Sequence, residues 1–345
     1  MNHRTARGLR SALLALLCAA GLMAGAAGQA WAQLPSNLGV GTNPQGSLFY
    51  SLGSAVAKVL SAHLPVQARV QPYAGTSVIL PLIDAGELAL GVNNTNDSRM
   101  AYRGLKPFLP SPKLRLASVL LPIGVGIMVP ARSDIRTLKD LKGKRLSGDF
   151  KAQLAVWYNS TSILASEGMT WDDVQVVPTA NVVTGAKLMM EGRVDATLFA
   201  LGAAQVREAD ASIPGGVRFL PINDSPEGVR RMQEAMPGTY PLVMKKGSSP
   251  GILADTTVEA YDVFVITGAG MNDEAVATIV KALHAAEKEI QESFRPLQSF
   301  SRAKMVKDNA TIPYHPGAIK AYKELGLWNP AMDAVQARLL GEAAR

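Results

Sequence analysis

The sequence predicts an α/β protein of two lobes with mixed sheets flanked by helices and a ligand cleft between the lobes, and three observations carry that prediction. Short apolar runs rich in Val, Ile and Leu alternate with longer amphipathic stretches, which is the pattern of layered βα units. These units form two blocks joined by a long apolar run, Leu116 to Val129, after which the chain returns to a strand and helices, so the first lobe draws on both chain ends. Glycine-bearing loops stand directly before apolar helices at Gly41 to Gly53 and again at Tyr73 to Ser77. Such a loop aims unpaired backbone N–H groups at one spot, where a carboxylate or similar anion can settle. Ligands of this architecture sit where strand ends and helix N-termini converge.

The elements follow in order. From Leu48, apolar side chains recur at Leu52, Ala55, Val56, Val59 and Leu60, which is helical spacing with one buried face. Val66 to Gln71 reads as a strand, Val78 to Ala85 as a helix and Leu88 to Val92 as a strand. After the joining run, Ser133 to Leu146 reads as a one-turn helix ended by Gly143 and then a strand entered through basic residues. A helix from Gln153 to Ser166, a strand from Val174 to Val177, a helix from Val182 to Glu191, and strands from Asp195 to Phe199 and Arg218 to Ile222 complete the second block. Residues Asp224 to Thr257, rich in Gly, Pro and Ser, carry no clear period. A strand from Asp262 to Thr267, a long helix from Asp273 to Ser293 and a helical region from Pro316 close the chain. The predicted division is residues 33–122 and 223–345 for the first lobe, with 123–222 for the second.

The first 32 residues read as a secretion signal. Arg4, Arg7 and Arg10 precede an apolar run, and Ala30-Trp31-Ala32 supplies an A-x-A site, so cleavage is expected after Ala32. A retained membrane anchor is the competing reading, but Gly21, Gly25, Gly28 and Gln29 interrupt the run, and a spanning helix needs about 20 predominantly apolar residues. Cys18 is the only cysteine and follows Leu17, where a lipoprotein signal wants a small residue. The predicted mature chain therefore has no disulfide available and depends on core packing. Removing three arginines takes Lys+Arg from 35 to 32 against 28 acids, a net charge of +4. That is too mild and scattered for nucleic acid, yet it suits an anionic ligand. The expected location is the periplasm.

Five short motifs, in order along nearly all of the predicted mature chain, resemble those of the TAXI solute receptors, the binding subunits of TRAP-type transporters. Gly46-Ser47-Leu48-Phe49-Tyr50-Ser51-Leu52-Gly53 is similar to that family's Gly-Gly-x-Tyr-Tyr-x-x-Gly turn, and Ala74-Gly75-Thr76-Ser77-Val78 to its Gly-Gly-Ser-Val turn. Leu90-Gly91-Val92-Asn93-Asn94 stands where the family has Gly-Ile-Val-Gln. Glu191-Gly192-Arg193-Val194-Asp195-Ala196 is similar to its Gly-x-Ile-Asp-Ala element, and Ile312-Pro313-Tyr314-His315-Pro316-Gly317-Ala318 to its Ile-Pro-x-His-Pro-Gly-Ala. The resemblance implies the type II periplasmic binding protein fold, a small organic anion as ligand, and separate TRAP-type permease subunits as partners. One motif departs. The family's Gly-Ser-Gly-Thr anion nest is replaced by Ser147-Gly148-Asp149-Phe150-Lys151-Ala152-Gln153. A charge on Lys151, an amide on Gln153 and an apolar wall at Phe150 would take over there, which leaves room for a ligand unlike the dicarboxylates and glutamate-like amino acids the resemblance implies.

The predicted ligand contacts are Gly46, Ser47, Tyr50, Thr76, Ser77, Asn94, Asn96, Phe150, Lys151 and Gln153. Each has a duller explanation. Ser47 and Ser77 are suited to cap the helices at Leu48 and Val78, Asn94 and Asn96 to serve a turn, and Tyr50 to pack with its hydroxyl bonded elsewhere. Lys151 suits a solvated position, although a cation at a helix N-terminus is unfavourable. His315 reads as a turn or cap residue, Asp195 as the end of a turn, and the stripe from Ile279 to Ile290 as core. The chain has no H-E-x-x-H and no histidine spacing that assembles a metal set, so neither enzyme chemistry nor a cofactor is expected. A receptor for an ABC importer or a sensor kinase, or a periplasmic enzyme on the same scaffold, are the alternatives.

Overall fold

The computed structural model describes residues 34–343; the proposed signal, its cleavage point and Cys18 lie outside them. The first block runs β1 (Asn37–Thr42), α1 (Leu48–His63), β2 (Gln67–Pro72), α2 (Thr76–Ala85), β3 (Leu90–Asn94) and α3 (Thr95–Tyr102). The long strand β4 (Leu114–Pro130) leads to β5 (Arg145–Gly148), α4 (Leu154–Ser166), β6 (Gln175–Pro178), α5 (Val182–Met190), β7 (Thr197–Ala200), α6 (Ala204–Ser212) and β8 (Val217–Phe219). The chain returns through α7 (Pro226–Ala235), β9 (Tyr240–Met244) and β10 (Thr256–Gly268) to α8 (Asp273–Ala285), α9 (Glu287–Ser293), α10 (Pro316–Glu324) and α11 (Pro330–Gly341).

Two long strands organise the sheet. β10 pairs antiparallel with β4 from Gly268↔Leu114 to Glu259↔Val125, with register shifts at Val263/Phe264 and Val265/Ile266. On one side β10 continues into β3, then β1 and β2, the last three mutually parallel. At the other end β7 and β8 join β4, and β9 joins β10. The parallel pair β5–β6 hangs on this assembly through a bridge between Leu146 and Ala196. The predicted boundary at residue 122 thus falls inside β4, near where its pairing passes from β10 to β7.

Local sequence explains the elements that aim the site. The buried face of α1 comprises Leu48, Leu52, Val56, Val59 and Leu60, as its spacing predicts. Ser47 caps it, its Oγ accepting from the Tyr50 N–H at 3.2 Å. β3 is buried throughout, so it reads as a continuous apolar and amide run without alternation. His315 caps α10, its Nδ1 accepting from the Gly317 N–H at 3.1 Å, and Ile279, Val280, Leu283 and Ile290 are core.

Several expectations change. α2 begins at Thr76 with Gly75 as its cap residue, so Ser77 lies in the first turn and caps nothing there. The turn expected around Asn94 is the start of α3, with Asn94 Oδ1 accepting from the Asp97 N–H at 2.7 Å. The unassigned stretch 224–257 holds α7 and β9; α7 buries only Gly228 and Met232, and its other face is a set of Arg–Glu pairs, too polar for an apolar period. β10 starts at Thr256, earlier than expected, and the expected single helix 273–293 divides at Ala286 into α8 and α9. α6, with only Gln205, Val206 and Ala209 buried, had no signal in the periodicity.

Candidate functional site

Five helices begin around one cavity. α1 follows β1, α3 follows β3, α4 follows β5 and α5 follows β6, so their N-termini rise from the carboxyl ends of parallel strands, with α2 beside them. The enclosed space is small, about 30 Å³, and Ser47, Phe49, Thr76, Asn94, Gln153 and Val182 at these helix starts line it together with Asn43, Phe199 and Tyr261. None of its lining residues is charged. Its electrostatics come from helix ends and amides, each helix N-terminus contributing roughly half a positive charge.

The cavity is closed by direct contact between the two blocks. A Cβ on Gly75 would come within 1.8 Å of the Ala152 carbonyl oxygen, so only glycine permits the turn before α2 to touch the loop before α4. Gly46, at φ +92, presents its carbonyl to the Gln205 N–H at 3.1 Å. Its left-handed backbone favours glycine.

Two polar side chains in the lining lack partners. Gln153 is 1% exposed; its Oε1 accepts from the Val182 N–H at 2.8 Å, while its Nε2 has no partner. Asn43 is 7% exposed and its Oδ1 likewise has none. A buried donor or acceptor left unmatched costs about 1–3 kcal/mol, so this donor and acceptor mark a place where a bound molecule would be stabilised.

Behind the cavity lies a buried carboxylate, Asp97, that joins three helices. It accepts from Thr76 Oγ1 at 2.8 Å and Ser77 Oγ at 3.1 Å, and Ser77 Oγ in turn accepts from the Leu154 N–H at 3.0 Å. Burial pushes the Asp97 carboxyl up to about 6, against the lowering effect of Thr76, Asn94, Ser77 and the Ala155 N–H. Glu259 on β10 is also fully buried, bonded by Asn159 and Ser162, and burial pushes it up to about 8. Tyr261 is held well above the usual phenol range by burial and by both acids.

Of the predicted contacts, Ser47, Thr76, Asn94 and Gln153 meet at the cavity. Gly46 borders it through the contact with Gln205. Tyr50 is half-buried in the first turn of α1, where its N–H serves the Ser47 cap. Ser77 holds Asp97 and α4, and Asn96 is buried with its Nδ2 3.6 Å from Met100 Sδ. Phe150 is 1% exposed and lies outside the lining. Lys151 also lies outside it: its side chain is 84% exposed, 3.6 Å from Asp149, in a surface groove with Val78 and Leu109. α4 begins at Leu154, so the Lys151 charge stays in water ahead of the helix end that would repel it. Sequence reasoning missed Asn43, Asp97 and Tyr261. Asn43 carried a weak signal, an amide directly after β1; Asp97 and Tyr261 sit within a helix and a strand, where nothing local distinguishes them.

A profile of the NMT1-like family matches residues 40–326. Among solved structures, the alkanesulfonate-binding protein SsuA from Xanthomonas axonopodis pv. citri, bound to MOPS, is similar at 16% identity and a TM-score of 0.50, covering 90% of this chain and 85% of that one. A protein from Bordetella bronchiseptica RB50 is similar at 13% identity and a TM-score of 0.52, covering 90% of this chain and 95% of that one. These likenesses show the expected fold, the mixed α/β two-domain fold of periplasmic binding proteins. With its helix starts gathered on one cavity in that fold and a family match over most of its length, the chain belongs to the NMT1-like family.

Proposed function

We propose that this protein is a solute receptor of the periplasm that closes two lobes, 33–122 with 223–345 against 123–222, around a small organic anion, and delivers it to a membrane permease without altering it. One observation carries the reading: five helix N-termini converge on a buried, uncharged cavity in which Gln153 Nε2 and Asn43 Oδ1 await partners. The donor suits a carboxylate or sulfonate oxygen, and the acceptor suits an amine or hydroxyl on the same molecule. At about 30 Å³ the cavity holds no organic acid as it stands, so entry requires the Gly75–Ala152 and Gly46–Gln205 contacts to part. Binding is then a population shift between open and closed forms, driven by differential affinity.

The TAXI-like motifs support a TRAP-type permease as the partner. No described helix is long and apolar enough to cross a membrane, so the permease would be a separate chain. Thermal unfolding against a panel of carboxylates, sulfonates and amino acids tests the reading. A true ligand adds about 2.7 kcal/mol at a hundred times its Kd, and Gln153→Leu abolishes that gain. A flat response across the panel overturns the ligand class, and turnover of a bound compound overturns the receptor reading in favour of an enzyme.

A further inference from the structure

A second cavity, of about 450 Å³, lies on the opposite side of Leu48, which lines both spaces. It is fifteen times the larger as these volumes stand and falls within the range of about 300–1,000 Å³ typical of small-molecule sites. Its walls come from segments far apart in the chain. Leu121 to Gly124 of β4 and Leu242 and Met244 of β9 give an apolar surface, and the start of α6 and the segment 295–299 close it. Gly202, before α6, packs on this last segment; a Cβ there would stand 3.0 Å from Pro296 Cγ.

Arg207 and Arg295, both exposed, line it from these two sides. Arg207 of α6 donates from Nη1 to the Gly202 carbonyl at 2.9 Å and lies 5.7 Å from the Phe294 ring centroid, while Arg295 donates from Nη2 to the Gly247 carbonyl at 3.4 Å. Among the described residues neither has an acidic partner, and no acidic residue lines the cavity. Ser249, 7% exposed in the same wall, has an Oγ without a hydrogen-bond partner. Guanidinium groups recognise carboxylate, sulfonate or phosphate oxygens.

We propose that this cavity is a second binding site, for an amphiphilic anion whose charged head is held by Arg207, Arg295 and Ser249 and whose apolar tail lies along Leu121, Ile123, Leu242 and Met244. An occupant would tie α6 to the 295–299 segment and so hold the two blocks together, independently of what the smaller cavity takes.

Octanoate is the probe, with octylammonium as its charge-reversed counterpart, and the readout is the methyl resonance of Met244 in protein labelled at methionine methyls, assigned with Met244→Leu. Octanoate is expected to shift that resonance saturably and octylammonium is not. The double variant Arg207→Ala/Arg295→Ala, checked for an unchanged circular dichroism spectrum, is expected to weaken octanoate at least tenfold. Gln153→Leu, which disables the smaller cavity, is expected to leave octanoate binding intact. An unmoved Met244 methyl, equal binding of octylammonium, full affinity in the double variant, or loss of octanoate binding in Gln153→Leu each overturns the proposal, and none of them bears on the smaller cavity's own ligand.

Discussion

Asp97 and Glu259 are both fully buried carboxylates, yet one is pushed to about 6 and the other to about 8. Burial is the first cause in both, and the two acids differ in the donors that oppose it. Thr76, Ser77, Asn94 and the Ala155 N–H lower Asp97, whereas only Ser162 and Asn159 lower Glu259. The comparison teaches that donors, opposing the same burial, tune the charge state of an acid in this core. It also separates roles: Asp97 stands where α2, α3 and α4 meet, while Glu259 fastens β10 to α4.

The largest expected effect is on stability. Both acids have folded values above their unfolded ones, so their contribution is fully present below the unfolded value and is lost as pH rises through the folded one. For Glu259 that window runs from 4.5 to about 8, a loss of at most roughly 5 kcal/mol at 1.36 kcal/mol per pH unit. Urea unfolding at pH 4.5 and pH 8.5 measures it, and a pH-independent midpoint breaks the comparison. In Glu259→Gln the alkaline part of the loss disappears.

What then remains is the Asp97 window, from 3.8 to about 6, worth at most roughly 3 kcal/mol on the same scale. Because ionised Asp97 stands behind the cavity, the affinity for an anionic ligand is expected to rise as pH falls through this window, and calorimetric titration at pH 5 and pH 7.5 reads the change. Asp97→Asn removes that pH dependence.

Next in size is Gly75→Ala. The added methyl forces Ala152 away and withdraws the Leu154 and Ala155 N–H groups from Ser77 and Asp97. Carboxyl-carbon NMR is expected to show Asp97 titrating higher while Glu259 stays where it was, and ligand affinity is expected to fall about tenfold or more. The smallest effect is that of Thr76→Val, which removes one donor and is expected to raise Asp97 by about one pH unit, in line with the roughly 1 kcal/mol of a single hydrogen bond. An unchanged Asp97 titration there refutes the idea that donors decide.

The fold was legible because its signals are local and repeated. The period of α1, the Ser47 cap and the glycine stop at Gly143 each act within a few residues. Ser47, Thr76 and Gln153 were legible as cavity-lining residues for the same reason, since each stands beside a helix start, and Asn94 because it ends a strand. Asp97 was not, because its role depends on a hydroxyl twenty residues away on α2 and an N–H on α4. Lys151 misled in the opposite way: its charge looked purposeful in the sequence, and only its exposed side chain beside Asp149 shows it pointing to solvent.

β10 occupies the middle of the large sheet, between β3 and β4, although it is the last strand in the chain. Until residues 256–268 have left the ribosome, β3 and β4 keep raw edges and the sheet has no centre. Three quarters of the polypeptide must therefore be synthesised before its architecture can lock.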